Sequence, residues 1–164
     1  MSSQWYMTMD SPIVPREIIV LLCEFMDIQS PIITWENKLL HTMSYYPESG
    51  PSYAPYVREA HIGFSTFVKE NYGFEINVII GFDDRTTARE IAFPEVVKGI
   101  SGLLKAVAGN CELDHTSKGE LLVRREGQLL VNKDYPDWTP ELLTLLPEPY
   151  ELRNQDAFAL PMVY

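Results

Sequence analysis

The stretch from Tyr72 to Lys133 limits the fold more than any other part of the chain. It reads as a strand over Glu75 to Phe82, an acidic turn, a helix over Phe93 to Ala108 and a hairpin over Glu120 to Lys133. In the strand, Phe74, Ile76, Val78, Ile80 and Phe82 alternate onto one side, and Ile79 makes the other side partly apolar. That pattern predicts a central strand covered on both faces. In the helix, Phe93, Val96, Val97, Ile100, Leu103, Leu104 and Val107 recur at the spacing of one buried face. Pro94 fits its first turn and Gly109-Asn110 stops it. Gly99 and Gly102 lie inside it at a cost of about 1 kcal/mol each against alanine, which suggests close approach to the sheet. Leu-Leu-Val on either side of Glu126-Gly127 marks two strands joined by a tight turn.

Upstream, Trp5, Met7 and Met9 share one side of a first strand over Gln4 to Asp10. A helix follows from Pro15 to Met26, with Ile18, Ile19, Leu22, Phe25 and Met26 on its apolar face. Ile32–Trp35 and Leu39–Tyr45 read as a hairpin about Glu36-Asn37-Lys38. From Tyr46 to Tyr56, prolines 47, 51 and 55 exclude a regular strand or helix. Tyr46, Tyr53 and Tyr56 make this loop a candidate recognition surface, since tyrosine joins a large apolar ring to a polar tip. The same tyrosines could instead fold back over the sheet. His61 to Lys69 reads as a further strand, with Asn71 and Gly73 in a tight turn behind it. Beyond Lys133, Thr139 caps a short helix begun by Pro140, and a proline-rich tail follows. The expected architecture is one α+β domain over residues 1–164, with 134–164 as an acidic extension. It holds a mainly antiparallel sheet of about six strands, two main helices packed on one face and a short C-terminal helix.

A chain of 164 residues buries roughly 68–70% of its unfolded surface, enough to fold without a metal or disulfide. Cys23 falls on the apolar face of a predicted helix and reads as a buried free thiol. Cys111 has only His115 near it, in a predicted loop, which is thin support for a nucleophile. The histidines at 41, 61 and 115 carry no metal-ligand spacing, so neither a metal nor a cofactor is expected. Asp83-Asp84 after a strand is a place where acid–base or magnesium-binding carboxylates sit, but a solvated acidic turn is the simpler explanation of the pair. The net charge of −10 argues against nucleic acid as a partner and permits a basic one, although acidity of this size by itself does no more than keep a protein soluble. No run reaches the ~18 apolar residues of a membrane span, and no signal peptide opens the chain, so a cytoplasmic location is expected. Between Asp134 and Asp156 six acidic residues face Arg153 alone. Asp134, Asp137, Glu141, Glu148 and Glu151, interleaved with Tyr135, Trp138 and Tyr150, form a candidate surface for a cationic partner.

The order of Tyr72-Gly73-Phe74, the alternating strand to Phe82, the helix closing in Leu103-Leu104-Lys105-Ala106-Val107 and the hairpin Gly119 to Asn132 resembles the SitI-type immunity family. The opening strand and helix, Trp5 to Met26, are also similar. Members of that family are antidotes to swarmer-inhibition toxins of polymorphic bacterial toxin systems. The resemblance implies a non-enzymatic protein that binds and neutralises a cognate toxin domain. It does not extend to the loop 46–56 or the tail beyond Trp138, where partner specificity would then be sought. Two other functions fit the residues alone. One is a small enzyme or ligand-binding domain using Asp83, Asp84 and His115, and the other is an adaptor or chaperone for a secreted effector.

Overall fold

Trp5, Met7 and Met9 are all buried on one side of the first strand, β1 (Trp5–Met9). The chain continues through α1 (Pro15–Phe25), β2 (Ile33–Asn37), β3 (Leu40–Met43), β4 (Tyr53–Glu59), α2 (Ile62–Tyr72) and β5 (Val78–Asp84). Then come α3 (Arg89–Ala106), β6 (Cys111–His115), β7 (Gly119–Arg125), β8 (Gln128–Asn132), α4 (Pro140–Leu143) and β9 (Tyr150–Arg153). The computed structural model describes residues 5–28, 33–37, 40–43, 53–84 and 89–158, with 34–37, 40–43, 53–54, 83–84 and 89–92 described by their backbone alone.

Among these residues nine strands form one sheet in the order β2-β3-β4-β5-β1-β6-β7-β8-β9. Every neighbouring pair is antiparallel except β8–β9. The α+β class and the mainly antiparallel sheet are as the sequence predicts. The sheet is wider than six strands because β4, β6 and β9 join it. Pro55 does not exclude β4: it lies one residue beyond Tyr56, where the pairing with β3 stops, so its missing N–H removes nothing from that ladder.

The expected strand at His61–Lys69 is the helix α2 instead. Phe64, Thr66, Phe67 and Val68 favour strands locally, but the ends of the segment are helix signals. The His61 ring accepts from the Phe64 N–H at 3.4 Å, and Gly73 closes the helix at φ 85° with its N–H on the Lys69 carbonyl. Phe64, Val68 and Tyr72 then fall four apart on the face turned to the sheet. Tertiary burial of that stripe outweighs the strand propensity of its members.

The two main helices, α1 and α3, pack on one face of the sheet as expected, over Trp5, Met7, Met9, Val78, Ile80 and Phe82. The helix α2 covers the other face, over Ile79, Val123 and Leu130. Ile79 is thus buried opposite Val78 and Ile80, as the two-sided pattern of β5 implies. The helix α3 starts at Arg89, so Pro94 lies inside it and not in its first turn. Its glycines meet α1, not the sheet. A Cβ on Gly102 would stand 2.4 Å from the Phe25 ring, and one on Gly99 would stand 2.9 Å from Met26. Two helices that must share one face of a sheet need such a close crossing.

The pairing of β6 with β7 slips by one residue: Leu113 faces Leu122, but Asp114 faces Glu120. Leu121 is the extra residue, so both Leu121 and Leu122 join the core beneath α1 and α3. The same slip sets Glu120 beside Asp114 on the α2 face.

Candidate partner-binding surface

The acidic segment after β8 is anchored by its aromatic residues and exposes its carboxylates. Tyr135 is only 2% exposed, and its hydroxyl accepts from Trp5 Nε1 at 3.0 Å. It cannot serve as an exposed anchor, which corrects its sequence reading. Trp138 is half-buried, edge-on to Phe93 with ring centres 5.3 Å apart. Tyr150 is half-buried against the same core. The aromatics are drawn inward because Trp5, Phe93 and Tyr135 need a lid at this end of the sheet.

The carboxylates divide by what holds them. Asp137 pairs with Lys118 at 2.7 Å, and Glu151 pairs with Arg153 at 2.8 Å while accepting from Gln128 at 3.1 Å. Asp134 accepts from the Gln155 N–H at 3.0 Å and keeps its side chain exposed. Glu141, in the first turn of α4, and Glu148 are exposed. Thr139 caps α4 as predicted, accepting from the Leu142 N–H at 3.2 Å. Beside these groups lies a cleft of about 430 Å³ lined by Phe93, Pro94, Lys118, Pro136, Asp137, Thr139 and Leu142. The Nε1 of Trp138 is buried here with no hydrogen-bond partner among the described residues.

Of the tyrosines in the proline-rich stretch, Tyr46 lies outside the described residues. Tyr53 begins β4 opposite Asp84. Tyr56 is half-buried and lies across Gly81 of β5, where an added Cβ would come within 2.1 Å of its ring. This tyrosine does fold back over the sheet.

Asp83 and Asp84 end β5 rather than forming a turn, and Asp114-His115 end β6 rather than lying in a loop. The strand β1 runs between β5 and β6, so the aspartates and His115 stand two strands apart, roughly 10 Å. His115 is 3% exposed, with its ring 5.0 Å from that of Trp5, and its Nδ1 accepts from the Ser117 N–H at 3.2 Å. Cys111 is buried in β6, and burial pushes its thiol up to about 12, far from thiolate chemistry at neutral pH. Cys23 is the buried free thiol expected from sequence, raised to about 11, also by burial.

A second polar site had no counterpart in the sequence reading. Under α2, the α2-facing side chains of β6 are Glu112 and Asp114, joined by Glu120 across the slipped pairing. Glu112 is 2% exposed, and Asp114 and Glu120 are half-buried. Glu120 is well held: it accepts from the Tyr72 hydroxyl at 2.8 Å and from the Gln155 side chain. Burial, then the charge of Asp114, then a hydrogen bond with Asp114 keep Glu112 protonated well above the usual carboxylate range. Burial likewise raises Asp114 to about 6, against the opposing effect of the bond from Glu112. Glu112 therefore holds the proton and donates it to Asp114. The signal in the sequence is the alternation Cys111, Leu113, His115, which leaves Glu112 and Asp114 together on the other face. Only the helix α2 reveals that this other face is covered.

Together these features define an acidic α+β domain with an exposed carboxylate edge and a buried carboxylate pair. Residues 34–142 match the SitI3-like family, and the chain belongs to that family. The match runs through residues 46–56, to which the resemblance carried by the sequence motifs does not extend. No curated protein and no solved structure matches the chain. No helix among the described residues is long and apolar enough to cross a membrane.

Proposed function

We propose that this chain is an immunity protein that neutralises a cognate bacterial toxin domain by binding it directly. Membership of the SitI3-like family across residues 34–142 carries the reading. The surface described above supplies a physical means. Asp134, Glu141 and Glu148 are exposed on the same segment that lends Pro136, Asp137, Thr139 and Leu142 to a cleft shared with Phe93, so charge steers a basic partner toward a desolvated contact. Tyr135 and much of Trp138 belong to the support beneath this surface, and its contacts come from the carboxylates and the cleft lining. A binding role also suits His115 and Cys111, which are committed to packing.

The test is calorimetric titration of the cognate toxin domain with the wild-type chain and with the triple variant Asp134→Lys, Asp137→Lys, Glu141→Lys, at low and high salt. The expected result is tight one-to-one binding that weakens by at least about tenfold in the variant, with a flatter salt dependence. Unchanged affinity and salt dependence would rule out this surface.

A further inference from the structure

We propose that Thr8, Glu112 and Asp114 form a receptor for an organic cation, the guanidinium or ammonium group of a basic side chain on the bound partner. The source of the cation rests on the immunity reading, whereas the receptor itself rests on this chain alone. The strand register assembles it: Thr8 pairs with Glu112 and Tyr6 pairs with Asp114 across β1 and β6. All four side chains fall on the α2 face, with Tyr6 and Asp114 half-buried and Thr8 and Glu112 buried.

Two observations point to a missing ligand. Thr8 is 4% exposed, and its hydroxyl oxygen has no hydrogen-bond partner among the described residues. Glu112 Oε1, directly opposite, has none either. Buried polar groups in folded proteins are nearly always satisfied, so this facing pair, a hydroxyl that can donate or accept and a carboxyl oxygen that accepts, is left for a group that bonds to both.

The surrounding charge specifies what that group is. Glu112, Asp114 and Glu120 lie within electrostatic reach of one another and of Tyr72. Of the cations on this side, Arg58 on β4 stands two strands from Thr8 with its guanidinium 5.7 Å over the Phe64 ring and its Nε buried without a hydrogen-bond partner among the described residues, and the others are committed elsewhere. Arg125 donates to the Tyr72 and Phe158 carbonyls at 2.9 and 3.3 Å, and Arg124 turns to the opposite face. A guanidinium offers up to five donors in a plane, enough to meet Thr8 Oγ1, Glu112 Oε1 and Asp114 at once, with the Tyr6 ring as a wall. An inorganic ion fits less well, since no group of three His, Cys, Asp or Glu among the described residues is arranged to hold a metal. Entry of a cation displaces the proton between Glu112 and Asp114, so binding tightens as pH rises. The other titratable groups facing this site are Tyr6 on β1, Tyr72 on α2 and Glu120 on β7.

The receptor is tested on the protein alone by nuclear magnetic resonance, with ethylguanidinium chloride as probe and calcium chloride and sodium chloride as parallel titrants. Saturable shifts are expected at Thr8, Glu112 and Asp114 with ethylguanidinium. Binding should be at least about tenfold weaker at about pH 5 than at about pH 7.5. It should also be at least about tenfold weaker in the double variant Glu112→Gln, Asp114→Asn. The amides match the shape of the protonated acids, and an unchanged backbone spectrum confirms that the variant folds. No saturable shift, equal binding by the double variant, or a response to calcium alone overturns the receptor. A second titration with the cognate toxin domain isolates the source of the cation. At least about tenfold weaker toxin binding by the double variant is expected, and unchanged toxin affinity beside intact guanidinium binding overturns the assignment to a partner side chain. A toxin that does not bind the wild-type chain while ethylguanidinium does refutes the immunity reading and that assignment, but leaves the receptor standing.

Discussion

Trp5 Nε1 donates to the Tyr135 hydroxyl at 3.0 Å, joining the first strand to the segment that follows the last hairpin. The two residues are 130 positions apart in sequence. Their rings and that of Phe93 make one stack, with centres 5.7 Å apart for Trp5–Phe93 and 5.5 Å for Phe93–Tyr135. The stack fixes the start of the acidic segment against the core, so the carboxylates beyond it are displayed on a rigid base.

Tyr135→Phe keeps the ring and removes the hydroxyl. The expected cost is about 0.5–1.5 kcal/mol, the net worth of one neutral hydrogen bond. Urea unfolding measures it. Affinity for the toxin should not change, because the hydroxyl is buried beneath the surface. A large loss of affinity with little loss of stability would return Tyr135 to the contact surface.

Arg124 closes the end of α3. Its guanidinium donates to the carbonyls of Leu104, Val107 and Gly109 at 2.7, 2.6 and 2.7 Å. These acceptors have no helical donor beyond the last turn, and a cation there also suits the negative end of the helix dipole. Arg124→Met should cost about 2–3 kcal/mol and speed amide exchange in the last turn of α3. Arg124→Lys should recover little of it, since one ammonium cannot span three acceptors held in a planar fork. Exchange rates at Leu104 to Val107 that match the wild type in both variants would show that packing alone holds the helix end.

How much of this was legible in the sequence depended on where each signal lay. The helix α3 and the β7–β8 hairpin carry their own periodicity and turn residues, so local reading located both. The strand β6 alternates just as well, but its even positions are Glu112 and Asp114, and acidic residues read as solvated until a covering element is known. That element is α2, whose Phe64, Thr66, Phe67 and Val68 read as a strand because the cap at His61 and the stop at Gly73 are weak signals taken singly. One misread helix therefore concealed the buried carboxylates. The acidic segment was legible as charge but not as geometry: nothing local distinguishes Tyr135, which is buried, from Glu141, which is not. Gly99 and Gly102 signalled a close approach, and the partner, α1, became clear only from the shared face.

The carboxylate pair should govern how stability varies with pH. Asp114 titrates at about 6 in the fold against an ordinary 3.8, and Glu112 is raised as well. The folded state therefore binds more protons than the unfolded one across this interval. The stabilising contribution is complete below the ordinary carboxylate values and is lost as pH rises through about 6 for Asp114, and higher still for Glu112. Unfolding free energy should thus fall between about pH 4 and about pH 7 by about 2–3 kcal/mol, the size of a shift of about two pH units. The exposed Glu75, lowered by its hydrogen bond and charge contact with Lys69, works in the opposite direction. Glu112→Gln replaces the protonated acid by an amide that can make the same donation to Asp114. The variant should be more stable than the wild type at neutral pH and lose the part of the slope that Glu112 carries, while Asp114, raised by its own burial, keeps titrating. Chemical unfolding at a series of pH values measures both. The double variant Glu112→Gln, Asp114→Asn should lose most of the slope, and a double variant that keeps it in full would place the titration outside this pair.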